Sequence, residues 1–457
     1  MIKKLFIFCY LFVYSTILFS QNTDSLNVKK IVDEALTNSI SYNNLGYLCT
    51  KIGGRICGSP QAAEAVAWSK KVMEELKFDT VYLQELKVHH WVRGAVEKAT
   101  VTSTKFGESK LSICSLGESV GTGSDGITAQ VVEVKNFEEL KNLGSAKIKG
   151  KIVFFNRPMD QTFFQTFPAY GGAADQRVHG AEQASLYGAI GVIVRSLTLE
   201  NDDFPHTGVM SYGKAKDSIP AVAVSTMGAD KLSLWLKSDP TLQLSILSDA
   251  KFYPEVSSYN VIGELKGTKF PNEYITVGGH LDAWDISSGA HDDGVGCMQS
   301  IEVLRIFKAL GIKPKHTIRA VMFMDEEIAQ RGGKKYAELA KLKKEKHIFA
   351  IESDRGGLCP TGFSIDAGLD TIKKILKWKK FFEAYGIHEF EKGGSGVDIS
   401  PLKILNFPLV GLVTESQRYF NYHHCANDTF DKVNRREMQL GSAAMATLIY
   451  FIDKYGY

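Results

Sequence analysis

Residues 278–296 read GGHLDAWDISSGAHDDGVG, two histidines and four aspartates within nineteen positions threaded with glycine. Three further groups of the same chemistry lie downstream: Asp325, Glu326 and Glu327; Glu352 and Asp354; and the adjacent His423 and His424. Carboxylates brought together repel one another. A fold that gathers them needs a cation among them, or must leave them splayed in water. Mixed imidazole and carboxylate donors suit zinc, whereas magnesium and calcium prefer oxygen alone. The donors outnumber the four positions of one tetrahedral zinc. Two metals sharing a carboxylate fit them better, the arrangement used by hydrolases and phosphatases. In the pair Glu326–Glu327, neighbouring side chains point in different directions, so one can ligate while the other faces a substrate as general base.

Elements able to bring these groups together are legible around them. Near-continuous apolar runs at 274–278, 317–324, 347–351 and 408–413 read as strands buried on both faces, and helical spacing appears at 297–310, 334–343, 369–384 and 435–454. Alternating strands and helices of this kind predict an α/β fold with a parallel or mixed sheet. Ligands of open α/β sheets bind outside the carboxyl ends of the strands, and the four donor groups follow the four strands. Upstream, helices are expected at 28–38 and 60–76 and strands at 81–89 and 96–103. From about 110 to 250 the texture changes to short strands, at 127–134, 151–156, 190–196 and 219–225, with a helix at 178–187. That stretch predicts a small β-rich domain.

Two motifs in it mislead. Gly121–Gly126 fits GxGxxG and Gly117–Gly121 fits GxSxG around Ser119, but a strand-like run follows where each motif needs a helix. No CxxC or HExxH pattern is present.

The chain has 457 residues, enough for two or three domains, and a net charge of +3 with no basic run interleaved with aromatics, which argues against a nucleic-acid partner. Lys3 and Lys4 precede an uncharged apolar run from Leu5 to Phe19. This reads as a secretory signal cut near Ser20–Gln21, placing the mature protein outside the cytoplasm, secreted or periplasmic, with no membrane segment afterwards. Beyond the signal there are six cysteines, an even number that permits disulfides, with Cys49 and Cys57 close enough in sequence to pair; buried free thiols are the alternative.

The stretches IGGRICGSP (52–60), HWVRG (90–94), PHTG (205–208), GGHLDAWD (278–285), DDGVG (292–296), DEE (325–327), ESDRG (352–356) and HHCANDT (423–429) together resemble the co-catalytic two-zinc exopeptidases of the aminopeptidase-Y type. The likeness runs along nearly the whole mature chain. It implies a zinc-exopeptidase α/β/α sandwich with a mixed central sheet, formed by 21–110 and 250–457, and an inserted β-rich protease-associated domain at 111–249. It implies two zinc ions per chain: His280 and Asp354 on one, Glu327 and His424 on the other, Asp292 bridging both. Glu326 is then the general base and acid, acting with a hydroxide that bridges the zinc ions, and Asp282 is the acid that orients His280. The peptide bond after the bridging aspartate is expected to be cis. Family spacing selects Asp292 over Asp293 and His424 over His423; Asp293, Asp285 and His291 are expected to be structural, and Asp398 to support the site. The implied substrates are dipeptides or short peptides, and the implied assembly a homodimer. Arg355 departs from the small residue expected after the Asp354 ligand, which leaves substrate selectivity open. His179 and His206 of the inserted domain could be structural or could touch substrate. Alternatives are an aminopeptidase on longer peptides, a one-zinc glutaminyl cyclase, or a relative that binds metal without catalysis. The filled ligand positions argue against the last, and the inserted domain against the cyclase.

Overall fold

Apolar runs buried on both faces belong in the middle of a sheet, and that is where these lie. The computed structural model describes residues 23–215 and 217–457; the signal expected at 1–20 lies outside them. The described residues form sixteen strands in two sheets. The first strand is β1 (Thr80–Val92). Eight more follow it: β2 (Glu97–Ser103), β3 (Gly107–Leu111), β4 (Ile113–Ser115), β5 (Ile127–Val134), β6 (Ile152–Phe155), β7 (Gly191–Arg195), β8 (Ala221–Val224) and β9 (Gln243–Ser248). The last seven are β10 (Lys251–Leu265), β11 (Phe270–His280), β12 (His316–Phe323), β13 (Lys346–Glu352), β14 (Pro360–Asp366), β15 (Glu389–Lys392) and β16 (Leu409–Thr414).

One sheet has the order β1-β10-β12-β11-β13-β16-β14-β15. Within it β12, β11, β13 and β16 are successive parallel neighbours, while β10 and β14 pair antiparallel with the strands they flank. The sheet is therefore mixed, and the carboxyl ends of its four central strands share one rim. Side chains alternate between two cores, as the pleat requires. Ile318, Ala320 and Met322 of β12 pack with the helices Val295–Ala309 and Arg435–Tyr455. Val321 and Phe323 pack on the other side with Tyr336, Ala337 and Ala340 of the helix Arg331–Leu342. The long C-terminal helix starts where Asn434 accepts hydrogen bonds from the amides of Arg436 and Glu437.

The second sheet has the order β3-β2-β9-β5-β6-β7-β8-β4, with β5 to β8 parallel and the outer strands antiparallel. Two differences from the sequence reading emerge. β2 and β3 pair into this sheet, so residues 97–110 lie with it rather than with the first segment. The unit is also less purely β than expected. Helices Phe137–Ile148 and Asp175–Ser185 cover one face and Thr226–Ser238 the other. The runs IVFF and AVAV are wholly buried, which is the mark of a strand covered on both faces. Gly126 leads directly into β5, so no helix follows GxGxxG, and Ser119 Oγ accepts a hydrogen bond from the Ala221 amide within the second unit.

The chain enters this unit from β1 and leaves it into β10, and those two strands pair antiparallel from Thr80↔Glu264 to Val92↔Lys251, with a bulge between Val88 and His90. Where the units meet, Arg93 is buried. Its Nε contacts both Asp285 oxygens at 3.0 and 3.1 Å, and it also donates to the Ser115 carbonyl of β4. No helix among the described residues is long and apolar enough to cross a membrane. All six described cysteines are free, five of them buried, so Cys49 and Cys57 do not pair.

Candidate metal centre

Each central strand delivers a donor to the common rim. His280 is the last residue of β11, Glu326 and Glu327 follow β12, and Asp354 follows β13. The helix Tyr419–Tyr422, beyond β16, carries the chain to His423 and His424. Asp292 comes from the wide turn Ala290–Gly294 ahead of the helix Val295–Ala309. It stands at the centre: its Oδ1 is 3.2 Å from His280 Nε2, and its Oδ2 is 3.3 Å from His424 Nε2. Asp354 Oδ1 is 3.5 Å from His280 Nε2, and Glu327 Oε2 is 3.0 Å from His424 Nε2. Two donor groups of three emerge, His280–Asp292–Asp354 and Asp292–His423–His424, sharing Asp292. The Asp292–Asp293 peptide bond is cis. His423 stacks on His424 with ring centroids 3.5 Å apart, and its Nε2 stands 3.8 Å from Asp292, farther than that of His424.

The ring of His280 is fixed by its other nitrogen, Nδ1, which lies 3.0 Å from the Asp282 main-chain carbonyl. The Asp282 carboxylate is 3.9 Å from the ring and instead accepts the amides of Glu326 and Glu327, at 3.2 and 3.3 Å. Asp282 thus positions the acidic turn with its side chain and the imidazole with its backbone. Asp325 takes a φ of 71° just before that turn, a left-handed conformation that an Asp tolerates better than a branched residue. Glu327 is buried against His424, while Glu326 keeps some exposure. Asp293 accepts from the amides of His280 and Gly296. Asp285 pairs with Arg93, and His291 accepts from the Gly357 amide and stacks on Tyr422.

Three groups around the site had no role assigned from sequence. The Arg55 guanidinium donates to the carbonyls of Leu281, Ser288 and Gly289, clamping the loop between His280 and Asp292. Asp428 accepts the amides of His291 and Asp292, at 2.7 and 3.1 Å. Thr207, from the second unit, donates its amide to the His424 carbonyl, and its own carbonyl faces His424 Nδ1 at 3.3 Å. All three lie inside the motif stretches, which is the one signal that could have found them. His206 is buried, its Nδ1 2.7 Å from the His423 carbonyl, and so holds the histidine segment from behind; His179 is half exposed beside Glu182.

The electrostatics are those of a pocket built around positive charge. Burial alone would lower the His280 pKa, yet Asp292 and Asp354 hold it well above the usual histidine range. Burial, with repulsion from Asp354 and Asp292, pushes the Glu326 carboxyl well above the usual carboxylate range. His424 is kept neutral by burial beside His423, the form in which imidazole binds a metal. Buried polar atoms normally find partners. Here His280 Nε2, Asp292 Oδ2, Glu327 Oε1 and Asp354 Oδ1 are all buried without a hydrogen-bond partner. One imidazole and three carboxylates with unpartnered atoms, with the His424 ring 3.3 Å from the shared aspartate, fit zinc in chemistry and in arrangement. Behind them, Asp398 is fully buried with both oxygens unpartnered, near Glu352, which burial lifts to about 7.

A carboxylate shared between two donor groups fits metal-dependent hydrolysis, and the relatives of the chain narrow that chemistry to a metallo-exopeptidase. With a zinc aminopeptidase of Bacillus subtilis it shares the fold, at a TM-score of 0.64 and 19% identity over 90% of this chain and 94% of that one. The profile of peptidase family M28 matches residues 260–449. Carboxypeptidase Q of Bos taurus is 31% identical over 413 residues, 90% of this chain and 85% of that protein. A crystal structure of a peptidase M28 precursor from Shewanella amazonensis superimposes with a TM-score of 0.91 at 31% identity, covering 95% of this chain and 98% of that one. The chain belongs to peptidase family M28.

Proposed function

We propose that this zinc peptidase is an exported enzyme that hydrolyses dipeptides or short peptides at a two-zinc centre. The observation that carries the reading is Asp292, whose two oxygens face His280 and His424 from opposite sides at 3.2 and 3.3 Å. His280 and Asp354 would hold one ion, Glu327 and His424 the other, with Asp292 between them. When bound, the ions supply Lewis acidity for a water nucleophile and for the scissile carbonyl. Glu326 accepts the proton from the attacking water and hands it to the leaving amine; its burial, which favours the protonated carboxyl, suits the second half of that shuttle. Asp282 keeps the base in place through the amides of Glu326 and Glu327. Arg55 and Asp428 fix the loop that carries the shared aspartate. Residues 1–20 serve as the secretory signal, and the second unit walls the cleft. The mature enzyme assembles as a homodimer.

The test is a matched panel on the purified, zinc-supplemented mature protein: one free dipeptide, its N-acetylated form and its C-amide, with Glu326→Gln in parallel. Cleavage of the free dipeptide, two zinc ions per chain and near-complete loss of turnover in Glu326→Gln with zinc retained are the expected results. Retained turnover in that variant would overturn the base assignment. Cleavage of the amide but not the acetylated form would make the enzyme an aminopeptidase.

A further inference from the structure

A free dipeptide carries a carboxylate close to its scissile bond, and the arginines near the centre are the candidates to receive it. Arg55 and Arg93 are engaged with carbonyls and with Asp285. Arg177 donates to Tyr170 Oη and packs by Gly208 on the Nδ1 side of His424, away from the atom that faces Asp292. Arg355 differs from all three. It immediately follows Asp354, it is half-buried, and among the described residues its guanidinium has no hydrogen-bond or ion-pair partner. Its guanidinium carbon lies over the Phe167 ring, 4.8 Å from the centroid. Asp354, Glu352 and Glu389 act on its charge through space without closing an ion pair. A cavity of about 290 Å³ opens beside it, lined also by Phe167, Ser364, Glu389, Glu391 and Lys392.

We propose that Arg355 is the specificity-determining anchor for the terminal carboxylate of the peptide cleaved at the metal centre. This deepens the dipeptidase reading and rests on it. An aromatic ring under the plane of a guanidinium holds it flat by cation–π attraction. The N–H groups along its edge stay free, and their fork matches a carboxylate bidentately. Phe167 in turn stacks on Tyr419, whose ring lies 5.3 Å from that of His423, so a carboxylate bound at Arg355 belongs to a substrate whose scissile bond lies close by, as in a dipeptide. Glu389 and Glu391 in the same cavity repel a second acid. The favoured C-terminal residue therefore has a neutral or basic side chain.

The experiment compares alanyl-alanine with alanyl-alaninamide on the zinc-loaded full-length mature enzyme, as wild type, Arg355→Ala and Arg355→Lys. Wild type is expected to prefer the free acid. In Arg355→Ala the KM for the free acid rises about 10- to 100-fold, the size of one lost charged hydrogen-bonding pair. Its kcat, zinc content and efficiency on the amide stay as in wild type, and Arg355→Lys recovers part of the loss. Turnover with an unchanged acid-to-amide preference in Arg355→Ala overturns the anchor and leaves the peptidase reading standing. No turnover of either peptide by zinc-loaded wild type overturns that reading, and the anchor with it.

Discussion

At the scale of single residues, adjacent identical groups have different surroundings. His423 and His424 stack face to face, yet His424 is the one within 3.3 Å of Asp292 and 3.0 Å of Glu327. His424→Ala is expected to lose one of two zinc ions by metal analysis, while His423→Ala keeps both. Equal losses in the two variants would put the ligand choice in doubt. Asp428 holds the backbone on which Asp292 stands, and groups in that position commonly cost 10- to 100-fold in metal affinity when removed. Asp428→Asn should weaken zinc binding by about that factor in competition with a chelator. The gathering of these groups at one rim could be read from sequence because four clusters of carboxylates or imidazoles each follow an apolar run, where one cluster alone would read as a solvated face. Arg55 and Asp428 could not be given roles that way. They act on main-chain carbonyls and amides, and nothing in a sequence says which backbone a side chain will meet.

At the scale of elements, the doubly buried strands and long helices were the most legible, since a continuous apolar run has few places to go. β14 and β15 went unread: PTGFSID is largely buried but broken by polar residues rather than continuously apolar, EFEK is four residues with one buried, and their pairing is set by neighbours rather than by pattern. The four-residue strands of the second sheet were seen, but their covering by helices on both faces was not. The first sheet is also tied by a buried polar network. Arg319 of β12 pairs with Glu264 of β10 at 2.8 Å and with Glu345, just before β13, at 2.9 Å, and Glu345 lies 3.1 Å from His347. Burial would raise the Glu345 pKa, but His347 and Arg319 more than reverse this and take it down to about 2. A carboxyl depressed on folding stabilises the fold above its unfolded pKa, and that contribution fades as pH falls through the folded value. Glu345→Gln is therefore expected to cost about 1–2 kcal/mol in urea unfolding at pH 7. The gap from wild type should close between the ordinary glutamate value of 4.5 and about 2. A gap that persists in acid would mean packing, not charge, is responsible.

At the scale of the whole molecule, the two sheets meet in a small aromatic core of Ile56, Trp91, Ala250 and Trp284. A Cβ at Gly117 of the second unit would sit 1.9 Å from Trp284, and the Trp284 ring lies edge-on to His424 at 5.7 Å. Gly117→Ala should cost about 1–3 kcal/mol as overpacking and lower kcat/KM as well, because the displaced ring abuts a proposed ligand. A stability loss with unaltered kinetics would show that the junction does not reach the site. With the six cysteines of the described residues free, the melting temperature should not change on adding a thiol reductant; a drop would reveal a disulfide. None of this junction was visible in the sequence, since a contact between residues 117 and 284 leaves no local pattern.

The bonds from Thr207 to His424 also set an order in time. The proposed donors emerge from the ribosome as 280, 292, 327, 354 and then 424, and the segment that receives the last of them, at 206–207, is made before any of them. A growing chain can therefore fold its second sheet early, but it must wait for His424 before the two halves of the centre can close around Asp292. A chain that stops short of that residue carries every strand of the second sheet but lacks the last of the proposed donors.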